Sequence, residues 1–332
     1  MSIKEIAKVT GVSTATVSRV LNGSEKVREV TAKRVLEVVD QLNYRMDHVA
    51  RRMKVKSSES LIIGLIITDI GNPFFSDIVK GVEDMAFRNK HILMICNTNE
   101  SPEKELFFLN SMLSEKVSGV IIVPTNGNAQ YFEMLDQDDL PMVMVDRCPE
   151  NLNIDTVSIN NVAGGYLATQ LLIKNGHKRI GIVCGISGLS NTIGRYEGYV
   201  KALAEANIPV SEDLITYGNY VESGGQEAMN KLISLENPPT AVFSTNNLMT
   251  LGCIKEIYKR KLTIPSDVAL IGFDDSTWAE VLIPPLTTIK QPGYEIGVNA
   301  AELLFKRFKN KKPSNINIVL NPELVIRGSC GS

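Results

Sequence analysis

The chain has 332 residues, more than one ordinary domain, and 44% hydrophobic with 22% charged residues supports buried cores in a soluble molecule of two or three domains. No apolar run reaches membrane-spanning length, Lys4, Glu5 and Lys8 stand where a secretory leader is apolar, and the five cysteines form no Cys-x-x-Cys pair. A membrane, secreted or disulfide-stapled class is thereby excluded, and a cytoplasmic protein with free thiols is expected.

The net charge of −2 hides an asymmetry. Residues 1–60 hold twelve Lys and Arg against seven Asp and Glu, whereas the remainder holds 23 against 30. A polyanion partner is expected for the amino-terminal module alone. In that module Ile3, Ile6 and Ala7 mark the apolar face of a short helix ending near Thr10. Gly11 breaks it where a positive φ is needed. Ser13 is placed to cap a second helix, in which Ala15, Val17, Val20 and Leu21 alternate with Thr14, Thr16, Ser18 and Arg19. Two short helices around a glycine turn make a helix-turn-helix. Short polar residues opening the second helix, with Arg19 one turn on, suit a DNA major groove, where Arg pairs with guanine O6 and N7. Spacing alone also allows plain packing in a helical domain. A third helix is expected from a cap at Thr31 to Leu42, with Val35, Leu36, Val38, Val39 and Leu42 facing the first two. Asn43-Tyr44-Arg45 closes the module, and a basic segment without Gly or Pro follows at 47–57.

From Leu61 the pattern changes to alternating strands and helices. Strands are expected at 61–67, 91–96, 119–123, 142–145 and 157–159, with helices at 73–89, 103–115 and near 130–137 between them. The pattern restarts with helix 161–175, strand 179–183, helix 192–206 and a strand near 213–216. Helix 222–235, strand 241–244, helix 247–260 and strand 268–273 follow. Two runs of βα units imply two doubly wound parallel sheets, whose ligands bind beyond the carboxyl ends of the strands. The residues just after those ends are Thr68, Asp69, Asn72, Phe74 and Phe75, then Asp146-Arg147, Arg195, Tyr220, Asn246 and Asp274, with Gln291 on the crossing segment 287–291. Aromatic rings beside Asp, Asn, Arg and Gln are what a sugar or sugar acid requires, since its C–H faces pack on rings and its hydroxyls need donors and acceptors. Arg147 and Arg195 could also clamp a carboxylate or phosphate. Singly, each has a plainer reading: Asp274 as a helix cap, Asp146-Arg147 as an ion pair, Phe74 and Phe75 as core.

Competing chemistries find no motif. His48, His91 and His177 lie far apart with no metal-ligand spacing, and neither a Gly-x-Ser-x-Gly elbow nor a phosphate loop is present. The Gly-Gly pairs at 164–165 and 224–225 read as tight packing or capping. No catalytic residue, metal or cofactor is expected, and the chain is not read as an enzyme.

The string S-T-A-T-V-S-R-V-L-N-G from Ser13 resembles the DNA-binding headpiece of the LacI/GalR family of bacterial repressors, and the resemblance extends over the whole chain. It implies a small all-α headpiece (1–45), a hinge helix or linker (46–58) and a periplasmic-binding-protein-like α/β core (59–330). The amino-terminal lobe of that core would take about 60–160 and 291–320, and the carboxyl-terminal lobe about 161–290 and 321–330. Thr14, Ala15 and Arg19 would meet base edges of a pseudopalindromic operator, and Ser13, Thr16 and Ser18 phosphates or bases. Asn22, Arg51 and Met53 complete the DNA-facing set. In this family two hinge helices enter the minor groove, where an apolar side chain wedges a base step. Here Met53 stands at the usual Leu position and Met46 replaces a Pro. N-P-F-F, V-D-R, G-F-D and the Q-P after T-I-K match the ribose-type pattern, which makes Asn72, Phe74, Phe75, Asp146, Arg147, Arg195, Tyr220, Asn246, Asp274 and Gln291 the effector contacts. Purine-responsive members carry an additional Arg before the G-R pair, where this chain has Leu189 and Asn191, so a purine is disfavoured. A sugar, sugar phosphate or sugar acid is expected, as inducer or corepressor.

An alternative is a catabolite-control-type regulator set by a phosphorylated carrier protein. Carrier-binding relatives place an Arg in the helix 294–308 where this chain has Glu302, which would repel a phosphoserine. A transport component would share the lobes but not the headpiece. The family's tetramers use a leucine-heptad tail that this sequence lacks, so a homodimer is expected.

Overall fold

The computed structural model describes residues 3–21, 27–41, 61–126, 131–132, 140–149, 152, 154–309 and 315–331. The chain divides into two units, residues 1–59 and 60–332. In the first, helices α1 (Ile3–Thr10), α2 (Thr14–Leu21) and α3 (Glu29–Gln41) bury Ile6, Ala7, Val17, Val20 and Val35 in a core of their own. Helix α1 stops at Gly11, whose φ of +66° a side chain would strain. Ser13 Oγ accepts the Thr16 N–H at 3.1 Å, so α2 begins at a hydroxyl cap. Two expectations need correction. Helix α3 starts two residues before Thr31, because the Arg28 carbonyl already accepts the N–H groups of Thr31 and Ala32 at 2.9 and 3.0 Å. Leu36 is exposed, since it lies about 100° around the helix from the buried Val35. The hinge at 46–58, with Met46, Arg51 and Met53, falls outside the described residues, as do Asn22, Leu42 and 43–45.

The second unit holds two six-stranded sheets. The first contains β1 (Ile62–Ile67), β2 (Ile92–Asn97), β3 (Gly119–Ile122), β4 (Met142–Val145), β5 (Asp155–Ile159) and β11 (Asn317–Leu320), in the order β11-β5-β4-β3-β1-β2 and parallel throughout. The second contains β6 (Ile180–Cys184), β7 (Ile215–Tyr217), β8 (Ala241–Ser244), β9 (Ala269–Phe273), β10 (Thr287–Lys290) and β12 (Glu323–Val325), in the order β12-β10-β9-β8-β6-β7. Only the pair β10–β12 is antiparallel. Strands β1, β3, β4, β6, β8 and β9 are buried along their length, as predominantly apolar runs covered on both faces should be.

Helices α4 (Pro73–Arg88), α5 (Pro102–Ser114) and α10 (Gly293–Lys309) accompany the first sheet, and α6 (Asn161–Lys174), α7 (Ser190–Glu205), α8 (Glu222–Ile233) and α9 (Asn247–Lys259) the second. The chain therefore passes between lobes near Asn160, at Gln291-Pro292 and at Asn321-Pro322. The sequence pattern does not mark β10, β11 and β12 as strands; they are short, and the two edge strands β11 and β12 are exposed or only half-buried along their length. The expected helix near 130–137 is described only at Tyr131 and Phe132, both helical. No described helix is long and apolar enough to cross a membrane.

Candidate effector cleft and DNA-reading face

The carboxyl ends of both sheets open on one cavity of about 570 Å³ between the lobes, within the size range of small-molecule sites. The structure brings all ten anticipated cleft residues to its wall: Asn72, Phe74, Phe75, Asp146, Arg147, Arg195, Tyr220, Asn246, Asp274 and Gln291. Their positions follow from local backbone rules. Asn72 caps α4, its Oδ1 accepting the Phe74 N–H at 3.0 Å, with Pro73 in the first turn. Asn246 caps α9 in the same way, accepting from Leu248 and Met249 at 3.0 and 3.2 Å. Asp146 and Asp274 take equivalent places in the two lobes. Each follows a central strand, each has left-handed backbone (φ 67° and 72°), and each donates its N–H to the next strand, at Val157 and Ile289. Asn99, Glu100, Asn219 and Tyr220 on the same wall also have left-handed backbone (φ 52° to 60°); left-handed backbone at non-glycine residues concentrates where function requires it.

The side chains form one network. Arg147, buried, donates Nη2 to Glu100 Oε1 at 2.6 Å and to Thr68 Oγ1 at 3.3 Å, and its Nε lies 3.6 Å from Asp146 Oδ2. Arg195 donates Nε to Asn161 Oδ1 at 2.9 Å and Nη1 to the Thr245 carbonyl at 2.6 Å, with its guanidinium 3.8 Å from the Phe273 ring centre. Gln291 donates to Asp274 Oδ1. Asn191 donates to Asp146 Oδ2 at 2.9 Å and accepts from the Tyr220 hydroxyl at 2.9 Å. Burial raises the carboxyls of Asp146 and Asp274 above the usual range, against the pull of Arg147 and Arg195 on the first and of Arg195 on the second. Burial also pushes the Tyr220 phenol up to about 12, so it stays a neutral donor.

Several buried polar atoms on this wall have no hydrogen-bond partner among the described residues: Asp146 Oδ1, Arg147 Nε and Nη1, and Gln291 Oε1. Such atoms are costly unless something else pairs them. They include both acceptors and donors.

Glu100 and Asn191 belong to this wall, and sequence reasoning places neither among the site residues. Glu100 follows β2, so the rule that finds the other strand-end residues, applied to that strand, would have reached it. Leu189 and Asn191, in the region where a purine-responsive relative was expected to carry Arg, are both buried, Leu189 just before α7 and Asn191 in its first turn. The Gly-Gly pairs are packing devices. A Cβ on Gly165 would lie 2.1 Å from the Arg195 carbonyl oxygen, and one on Gly225 would lie 2.2 Å from that of Met249.

In the headpiece, Ser13, Thr14, Ala15 and Arg19 are exposed and Thr16 and Ser18 half-buried, along the opening turns of α2. That leaves the polar start of the helix accessible while Val17 and Val20 anchor it.

Residues 2–47 match the lacI family of bacterial regulatory proteins, and residues 169–330 match a periplasmic binding protein-like domain. The chain is 39% identical to an HTH-type transcriptional repressor PurR of Histophilus somni (strain 2336), over 99% of this chain and 98% of that protein. Among solved structures it is similar to the transcriptional regulator CelR in complex with cellobiose (28% identity, TM-score 0.76, 99% of each chain covered). The Lac repressor dimer bound to operator and the anti-inducer ONPF shares its fold (24% identity, TM-score 0.88, 100% of this chain and 99% of that chain covered).

Proposed function

Because the chain belongs to the LacI family of bacterial regulatory proteins, and is thus a DNA-binding transcriptional regulator with a small-molecule domain, we propose that it is a cytoplasmic repressor controlled by a sugar or sugar derivative between its lobes. The observation that carries the ligand class is the set of unpartnered buried atoms at Asp146, Arg147 and Gln291 beside the rings of Phe74, Phe75 and Tyr220. Each hydroxyl of a sugar both donates and accepts, so a polyol pairs such a mixed set, while its C–H faces lie on the rings. The solved CelR complex holds cellobiose, which favours the same class. Leu189 and Asn191 where purine-responsive members carry an Arg argue against a purine, and the exposed Glu302 against a phosphoserine partner on α10.

The α2 residues Ser13, Thr14, Ala15, Thr16, Ser18 and Arg19 would meet the operator, joined by Asn22, Arg51 and Met53. A homodimer would present two such helices to a pseudopalindrome. Apolar side chains left exposed on the edge strand β2 (Ile92, Ile95) and in the segment between β9 and β10 (Val281, Ile283) support self-association. Ligand would act by binding one lobe arrangement better than another, as inducer or corepressor.

The test is thermal unfolding of the full chain against sugars, their derivatives and purines, followed by binding to a duplex selected from a random pool with and without the stabilising compound. A sugar that raises the midpoint and changes duplex affinity is expected. Stabilisation by a purine alone, or by a phosphorylated carrier protein alone, overturns this assignment.

A further inference from the structure

We infer that the effector is an uncharged polyhydroxylated compound and that Glu100 sets this choice by pairing its carboxylate with the charge of Arg147; this rests on the cleft being the effector site. Two arginines at strand ends would ordinarily mark a clamp for a carboxylate or phosphate. Here each already gives part of its guanidinium to the protein, and Arg147 keeps only Nε and Nη1 without a hydrogen-bond partner among the described residues. Arg147 is held by Glu100 at 2.6 Å, and Arg195 by the Asn161 side chain and the Thr245 carbonyl while lying on the Phe273 ring.

The charge on the wall points the same way. The described lining residues carry four carboxyl groups (Asp69, Glu100, Asp146, Asp274) against two guanidiniums, and include neither Lys nor His. With every acid ionised, negative charges outnumber positive ones. With Asp146 and Asp274 both protonated, the two signs are equal. In neither state does the cavity hold a surplus positive charge for an anion.

The unpartnered atoms add a second requirement. Asp146 Oδ1 and Gln291 Oε1 accept and need donors, while Arg147 Nε and Nη1 donate and need acceptors. A fully ionised phosphate or carboxylate offers acceptors only, whereas hydroxyls serve both. Glu100 reaches this position through a pair of left-handed residues, Asn99 and Glu100 (φ 52° and 57°), between β2 and α5, and both line the cavity. Left-handed backbone at two consecutive non-glycine residues carries a conformational cost, which a fixed placement of the Glu100 carboxylate would offset.

The experiment is calorimetric titration of the full-length protein with D-ribose, D-glucose and cellobiose, each beside an anionic counterpart (ribose 5-phosphate, glucose 6-phosphate, cellobionate), and with hypoxanthine. One neutral sugar should bind at least about tenfold more tightly than its anion, the scale of one uncompensated charge at short range. Glu100→Gln should narrow that preference by about tenfold, and Glu100→Asp, which keeps the charge, should leave it near the wild-type ratio. A wild-type protein that prefers the phosphate or acid, or a Glu100→Gln variant with an unmoved ratio, overturns the inference and leaves the sugar cleft standing. Binding of hypoxanthine alone, or of none of these probes, overturns the sugar reading beneath it and the inference together. If Glu100→Gln does not fold, the wild-type preference decides.

Discussion

Asn72 Oδ1 accepts from donors in both lobes: the Phe74 N–H that it caps, at 3.0 Å, and the side-chain amide of Asn247 across the cleft, at 2.9 Å. Asn191 to Asp146 Oδ2 (2.9 Å) and the Cys148 N–H to Ser190 Oγ (3.3 Å) bridge the lobes as well. The lobes are thus latched by residues that also line the cavity or flank it, so closure and ligand contact draw on the same groups. Asn247→Ala removes one cross-lobe donor and leaves the cap of α4 intact. The closed arrangement should lose about 1 kcal/mol, the usual net worth of such a bond, and effector affinity should fall roughly fivefold. Calorimetric titration reads this; an affinity equal to wild type would mean that the latch plays no part in closure.

Asp274 gives a pH-dependent prediction whose sign follows from its burial. Its folded-state pKa lies above the ordinary value, so the folded protein binds the proton more tightly than the unfolded chain does. Without ligand, stability therefore falls as pH rises from the ordinary carboxylate range through the raised value, and is level above it. Asp274→Asn removes the penalty. Its amide can still meet Gln291, whose own amide can rotate to present Oε1, an atom without a partner in the native network. The variant should be more stable than wild type at pH 7 by roughly 1 kcal/mol, a gain of about 2–4 °C in Tm, and should lose effector binding. The gain should vanish below about pH 4, where both states are protonated. Thermal unfolding across pH checks it, and a variant less stable than wild type at pH 7 would contradict it.

What the sequence disclosed was governed by how local each signal is. The βα alternation and the strand-end residues were legible because buried parallel strands are continuous apolar runs and their ligand ends follow by rule. Asp146 and Asp274 could be placed in this way without knowing any contact, whereas Gln291 was reached only as part of the crossing segment 287–291. Edge strands β11 and β12 were not legible, since they are stabilised by pairing with β5 and β10, distant in sequence, more than by a pattern of their own. The engagement of Arg147 by Glu100 was hidden for the same reason. An arginine after a strand reads as an anion clamp, or as the partner of the neighbouring Asp146, until Glu100, 47 residues away, is seen beside it. Leu36 is misplaced for a simpler reason, because a run of Val and Leu names no single helical face.

The helix-turn-helix depends on backbone at Gly11. A Cβ there would meet nothing within 4 Å, so any effect of substitution comes from the φ of +66° alone. Gly11→Ala should destabilise the headpiece by about 1–2 kcal/mol, and Gly11→Asn by clearly less, because Asn tolerates the left-handed region. Hydrogen exchange of the α1 and α2 amides in the full chain measures this. Equal protection in the two variants would show that the strain argument fails.

Helices α6 and α7 meet at a spacing that only glycine allows, and α7 carries Arg195 into the cavity. A Cβ on Gly198 would lie 2.2 Å from the Val162 carbonyl oxygen and 2.5 Å from the Tyr166 N–H nitrogen, both backbone atoms that cannot swing aside. Gly198→Ala must push the helices apart, at a cost of about 1–3 kcal/mol for overpacking. Because Asn161, on α6, holds Arg195 Nε at 2.9 Å, the same separation should strain that bond and carry the guanidinium off the Phe273 ring. Loss of effector affinity should therefore accompany the loss of stability, although residue 198 lies outside the cavity wall. Gly176→Ala serves as a comparison. Gly176 has a φ of +92° and a methyl added there would meet no atom within 4 Å, so the change should lower stability with little effect on binding. If the two variants weaken effector binding alike at equal loss of stability, helix spacing does not position Arg195.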